Sequence, residues 1–181
     1  MECALKKDRP DFVQLLIDNN FNFDDFLSIE RQYDLYKHFR DKKDIKDAPF
    51  INYLEMKSEK LFIDMETRKE TLDSFRFKLK DCIKFLIEKE IKIKDFITLT
   101  LDDGYQFKNP TLGLFIWSVL FNRSEIAKIF LTKSTDQISL CLLASIIFKK
   151  FAVHFRHQEA NIFDENAKYC FFLLFFNLKI I

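Results

Sequence analysis

Residues 11–29 read DFVQLLIDNNFNFDDFLSI, and residues 81–99, DCIKFLIEKEIKIKDFITL, align with them without a gap. Asp11 and Asp81, Leu16 and Leu86, Ile17 and Ile87, Asp25 and Asp95, and Phe26 and Phe96 are identical, and most other pairs exchange like for like. A third, partial copy appears when ALKKDRPDFVQLL, residues 4–16, is laid on SVLFNRSEIAKIF, residues 118–130. Both read as helix, Asp/Asn-Arg-Pro/Ser turn, helix. A helical hairpin cannot bury its apolar face alone, so its repetition predicts stacked antiparallel hairpins, all-α and ankyrin-like in style. Such stacks bind and support more often than they catalyse.

Composition agrees. The 181 residues carry 29 basic and 28 acidic side chains, which leaves no overall electrostatic footprint for DNA or RNA. Only Gly104 and Gly113 are glycine, too few for a phosphate-cradling loop or for hairpin-rich β folds. Cys3, Cys82, Cys141 and Cys170 form no closely spaced pair of the kind zinc requires, and Cys82 and Cys141 fall on apolar helix faces as small hydrophobes. With no signal peptide recognisable at the N-terminus, a reducing, cytoplasmic setting is expected for this chain. The apolar runs at 112–121 and 138–148 are ten and eleven residues long, and the tail YCFFLLFFNLKII at 169–181 is interrupted by Asn177 and Lys179. A bilayer span needs about 20 residues, so no direct membrane crossing is expected.

Along the chain, Asp8-Arg9-Pro10 breaks a short first helix and starts a second that ends at Asn19-Asn20. Phe12, Leu15 and Leu16, with Val13 and Asn19, are expected to form its buried face. Asp24-Asp25 reads as a turn, and Ser28 as the cap of a helix bearing Ile29, Tyr33, Tyr36 and Phe39. Residues 1–39 thus form an N-terminal helix-turn-helix unit, followed by a variable mixed-charge linker over 40–66. A helical stack spans 67–168. It opens on the capping box Thr67-x-x-Glu70 and the stripe Leu72, Phe75, Leu79, Cys82 and Leu86. Alternation at Ile97, Leu99 and Leu101 before Asp103-Gly104 suits a short β-hairpin or finger loop near 97–107. Asn109-Pro110 begins a helix that is apolar nearly all round and contains Trp117. Asn122-Arg123-Ser124 turns the chain back. Ser134-x-x-Gln137 is expected to cap the helix from Ile138 to about His154. Exposed Leu, Ile or Phe would each forfeit about 1.5–3 kcal/mol, so these last helices belong at the centre of the bundle.

Two segments carry a family resemblance. ALKKDRPDFVQLLIDNNFNFDDFLSIERQYDLYKHF, residues 4–39, resembles the cytosolic N-terminal region of melastatin-type transient receptor potential (TRPM) channels, with its AL-x-x-DR-x-DFV-x-LL-x-(E/D)NG pattern followed by FLT. LGLFIWSVLFNRSEIAKIFLTKSTDQISLCLLASIIFKKFA, residues 112–152, is similar to the family's WAVL-x-x-R segment and alanine-rich helix, matching at Trp117, Val119, Leu120, Arg123, Ile126, Ala127, Phe130, Ala144 and Lys150. Asn20 stands where the family favours glycine, and Leu131 where it favours tryptophan. The resemblance implies a scaffold segment of a tetrameric, non-selective, calcium-permeable cation channel. Its partners would be other domains and subunits of that channel, and it would reach the membrane, on the cytoplasmic side, only through the full-length protein. No pore, calcium-binding or nucleotide-binding residue of the family lies in the matched segments.

No catalytic, cofactor-binding or metal-binding residue is therefore assigned, and an enzyme is not expected. His154-x-x-His157 with Glu159 has metal-ligand residue types, but a helix C-terminus attracts positive charge without any metal. Asp102-Asp103-Gly104 lacks the ligand ladder of a calcium loop and reads as a turn, and the lysines at 89–94 read as a solvated turn rather than a lipid contact. A soluble ankyrin-like interaction module with no channel function is the alternative reading. The tail at 169–181 uses residues whose codons are rich in A and T, and is expected to be a translated intron or truncated gene model. Sequencing the transcript tests this: a spliced message that encodes the tail through to a stop refutes it.

Overall fold

The computed structural model describes residues 1–40, 44, 46–57, 68–87, 110–155 and 160–178. Those residues form an all-α bundle. In order the helices are α1 (Glu2–Lys6), α2 (Pro10–Asp18), α3 (Phe23–Phe26), α4 (Ile29–Lys37), α5 (Pro49–Met56), α6 (Arg68–Ile87), α7 (Pro110–Leu120), α8 (Ser124–Thr132), α9 (Gln137–His154) and α10 (Ala160–Leu178). Thr67, the finger at 97–107, the lysines at 89–94 and His157 lie outside the described residues, as does most of the second repeat copy. The ankyrin-like character of the stack is not established by these helices.

Local chemistry explains most boundaries. Pro10, Pro49 and Pro110 each occupy the first helical position, where the missing N–H costs nothing. The Ser28 hydroxyl accepts from the Arg31 N–H at 3.4 Å and starts α4, as its sequence position predicts. Asn20 follows α2 with φ 55°, the left-handed conformation that glycine adopts at least cost. Two expectations are corrected. Asp136, not Ser134, caps α9, its carboxylate accepting from the Ser139 N–H at 3.1 Å. Asp24-Asp25, expected as a turn between helices, lies within the short helix α3.

The core is rich in aromatic rings. Phe121 meets Phe39 at 4.7 Å, Tyr36 at 5.4 Å, Trp117 at 5.6 Å and Phe50 at 6.2 Å between centroids, which ties α4, α5 and α7 together. Tyr36 and Tyr33 extend the cluster to Phe75 of α6, at 5.5 and 5.2 Å. The predicted α6 stripe, Leu72, Phe75, Leu79, Cys82 and Leu86, is buried throughout. So is α7 from Gly113 to Leu120. Helix α5 falls within the mixed-charge stretch 40–66 and buries five of its eight residues.

Helix α9 is the central rod, packed against α5, α6, α7, α8 and α10. By length and composition it meets the requirement for a membrane span, which the shorter runs read from sequence do not, yet 56 % of it is buried inside the bundle. A core helix passes the same test. Helix α10 runs unbroken across residues 168 and 169, with Phe163 and Ala167 buried in the core.

Packing is not without cost. The Tyr36 hydroxyl and the Trp117 indole N–H are buried with no hydrogen-bond partner among the described residues. Each such orphan costs about 1–3 kcal/mol. Burial, and secondarily Cys82, pushes the Tyr36 phenol well above its ordinary value. Since the folded-state value is raised, stability is unaffected below pH ~10 and falls as the pH rises beyond it. Tyr36→Phe should therefore match or exceed the parent by up to about 1 kcal/mol at pH 7, and should lead by roughly 1.4 kcal/mol more at pH 11. Urea unfolding at the two pH values measures both. A loss above about 1 kcal/mol at pH 7 would show that the hydroxyl is satisfied.

Candidate functional site: a repeated turn and the arginine between its copies

The partial repeat read from the sequence is a structural repeat. Asp8 and Asn122 occupy equivalent positions, and both are left-handed, at φ 52° and 55°. The next residue, Arg9 or Arg123, is the N-cap of the second helix in each unit. Backbone hydrogen bonds repeat as well. Arg9 N donates to Ala4 O at 2.9 Å and Arg123 N to Ser118 O at 2.7 Å; Asp8 N donates to Leu5 O and Asn122 N to Val119 O, both at 3.2 Å. Asp and Asn suit this turn because their short polar side chains tolerate the left-handed region. The two hairpins, α1–α2 and α7–α8, pack together through α2 and α8.

Arg123 joins the copies. Its guanidinium contacts the Asp8 carboxylate at 3.3 Å and that of Asp47 at 3.6 Å, and lies 5.1 Å from the centre of the Phe39 ring. The side chain is only 12 % exposed, and its Nε has no hydrogen-bond partner among the described residues. Beside it, the Asn122 amide donates to Lys46 O at 3.4 Å and accepts from Asn166 of α10 at 2.8 Å. Four segments therefore converge within two residues: the α1–α2 turn, the approach to α5, the α7–α8 turn, and α10. Both carboxylates are nearly half exposed, so each ion pair is worth at most about 1 kcal/mol, and the cluster acts by positioning.

A shallow apolar pocket lined by Phe115, Val119, Ala127, Leu131, Cys141 and Cys170 has a volume of about 20 Å³, roughly one water molecule. Small-molecule sites run to about 300–1,000 Å³. Burial raises the Cys141 thiol to about 11 and, aided by Cys141, the Cys170 thiol to about 12, so both are protonated and weakly nucleophilic at neutral pH. The His154 ring lies 4.4 Å from that of Tyr53, tilted by 41°, and burial, Lys57 and Lys150 lower its pKa. That direction works against the cationic helix-end role expected for it. Among the described residues no group of three or more His, Cys, Asp or Glu is placed to hold a metal.

Leu86 and Phe130 are 0 % exposed and Trp117 is 1 % exposed. Leu16 is only half-buried. The expected face of α2 is also corrected: Phe12 and Leu15 are 48 % and 56 % exposed, Asn19 is exposed, and Val13 and Ile17 are the buried pair. Sequence reasoning matched Arg123 to a motif but gave no sign of its contacts with Asp8 and Asp47.

The turn makes a direct prediction. Asn122→Gly keeps the left-handed backbone and should stay within about 1 kcal/mol of the parent, while Asn122→Val adds about 1–2 kcal/mol of backbone strain to the same lost side-chain bonds. Denaturant midpoints compare them. Equal losses would assign the role of Asn122 to its hydrogen bonds alone.

The family model described as the TRPM2-like domain matches residues 1–169. The chain is 26 % identical over 176 residues to "Transient receptor potential cation channel subfamily M member-like 2" of Nematostella vectensis, covering 89 % of this chain and 11 % of that protein. It is 24 % identical over 205 residues to "Transient receptor potential cation channel subfamily M member 5" of Homo sapiens, covering 93 % and 17 %. The chain thus spans between about a tenth and a sixth of the length of these relatives. Since the match covers nearly its whole length, including both copies of the turn, this chain belongs to the TRPM2-like domain family.

Proposed function

We propose that the chain is a scaffold segment of a TRPM-like non-selective, calcium-permeable cation channel, lying on the cytosolic side and serving subunit assembly and gating coupling. The observation that carries this reading is the family match over residues 1–169, in a chain that corresponds to a small part of relatives named as cation channels. The geometry supports a mechanical role. A load applied to the α1–α2 hairpin meets Arg123 through Asp8, and Arg123 in turn bears on Asp47 before α5 and on Phe39 after α4. Phe39 contacts Phe121 and Trp117. Displacement of one hairpin is therefore shared by α4, α5 and α7 rather than absorbed in a loose turn. Tetrameric assembly with other domains and subunits of the same channel is part of the proposal.

Currents through the full-length channel test it. Arg123→Met retains much of the side-chain bulk and removes both ion pairs, so the stimulus needed for half-maximal opening should shift while single-channel conductance stays unchanged. Unaltered activation by a folded, surface-expressed variant would overturn the coupling role. A transcript that yields no polypeptide with six apolar spans of about 20 residues would instead favour a free-standing interaction module.

A further inference from the structure

Asn122 is held from two sides. Its amide oxygen accepts from Nδ2 of Asn166 in α10 at 2.8 Å, and its own Nδ2 donates to Lys46 O at 3.4 Å. The next residue holds the next position, since Arg123 reaches the Asp47 carboxylate at 3.6 Å. Residues 122 and 123 thus fasten residues 46 and 47 side by side. Just beyond lie Ala48, fully buried, and Pro49, where α5 begins. Within this approach, Asp44 O accepts from the N–H groups of Asp47 at 3.2 Å and Ala48 at 3.0 Å, and the Asp44 carboxylate accepts from the Lys46 N–H at 2.9 Å.

The direction of these bonds is fixed from one end. Lys46 O is a backbone carbonyl and can only accept, so the donor half of the Asn122 amide must face it. The oxygen half then faces α10, where only a donor fits, and Asn166 supplies one. Turning the Asn122 amide over would set oxygen against oxygen at Lys46 and N–H against N–H at Asn166. The first copy of the turn follows the same logic with a different residue. Asp8 only accepts, from Arg123, and a carboxylate suffices. At position 122 the side chain must accept and donate at once, which requires an amide.

We propose that Asn166 is a positioning residue: by presenting a donor to Asn122, it makes the seating of α10 the condition under which the α7–α8 turn holds the approach to α5. The chain then contains a conformational relay of fixed polarity, running from α10 through Asn122 to Lys46 and Asp47. The Lys46 bond, at 3.4 Å, is the longer of the two, and it is the link that opens when α10 presents the wrong group. The relay is a property of the chain's own contacts and stands whether or not the chain is part of a channel.

Amide hydrogen exchange in the 181-residue chain, followed residue by residue by NMR, tests it. Asn166→Asp keeps the shape of the side chain and offers only acceptors, so it draws the Asn122 Nδ2 toward α10 and turns the Asn122 oxygen against Lys46. Asn166→Ala removes the donor but lets Asn122 keep its Lys46 bond. Exchange at the Asp47 and Ala48 N–H groups should therefore quicken about tenfold in Asn166→Asp and by no more than about threefold in Asn166→Ala, with the α9 amides unchanged. Rates at Asp47 and Ala48 that are equal in the two variants, or higher in Asn166→Ala, overturn the relay and leave Asn166 an ordinary contact. Should Asn166→Asp quicken exchange throughout the bundle, Asn122→Asp decides. That variant still accepts from Asn166 but cannot donate to Lys46, and the left-handed turn tolerates an acid, as Asp8 shows. It should quicken Asp47 and Ala48 while the α9 amides hold; unchanged exchange at those two positions overturns the proposal.

Discussion

Phe121 occupies the point where the bundle is joined. Its ring meets side chains from α5 and α7 and from both Tyr36 and Phe39 at the end of α4, and Tyr36 passes the contact on to α6. Edge-on and tilted ring pairs of this kind contribute about 0.5–1.5 kcal/mol each beyond the area they bury. Phe121 is also the residue immediately before Asn122. The ring cluster therefore holds the left-handed turn in place, the turn aims Arg123, and Arg123 closes onto Asp8 and Asp47. Hydrophobic packing comes first in this sequence of dependence, with the polar junction set upon it. The buried Tyr36 hydroxyl and Trp117 N–H are the cost of filling the joint with such large side chains.

Much of this was legible in the residues themselves. Proline at Pro10 and Pro110 announces helix starts, and the Asp/Asn-Arg turn with its flanking helices is visible as a repeat in the sequence alone. The α6 stripe follows from periodicity because its polar and apolar positions are cleanly separated. Helix α2 is harder. Phe12, Val13, Leu15, Leu16 and Ile17 cover more than half its circumference, and no spacing rule can say which part faces a neighbour. The answer comes from the placement of α8, more than a hundred residues away in sequence. Helix α5 is hidden for another reason: its short apolar run is flanked by charged residues that draw attention to solvent.

The candidate site shows the same division. A sequence motif singles out Arg123, but its acidic partners lie at Asp8 and Asp47, and nothing in their local sequence announces either contact. The Asn122–Asn166 bond spans 44 positions and is equally silent. Local signals specify the shape of each turn, while the meeting of turns is a property of the packed whole. Family membership enters at this level, since a match over residues 1–169 covers the elements on both sides of every such contact.

Helix α9 has a consequence for biosynthesis. Eighteen apolar-rich residues leaving the ribosome would be a plausible client for the membrane insertion machinery, yet in the finished molecule most of that helix is enclosed by protein. Four of its five packing partners, α5 to α8, precede it in the chain and are synthesised before it emerges. Because synthesis runs from the N-terminus, a waiting apolar groove can capture α9 as it appears, with α10 closing over it last. The order of the helices is thus itself a safeguard, and a rearranged gene that moved α9 ahead of its partners would lose it.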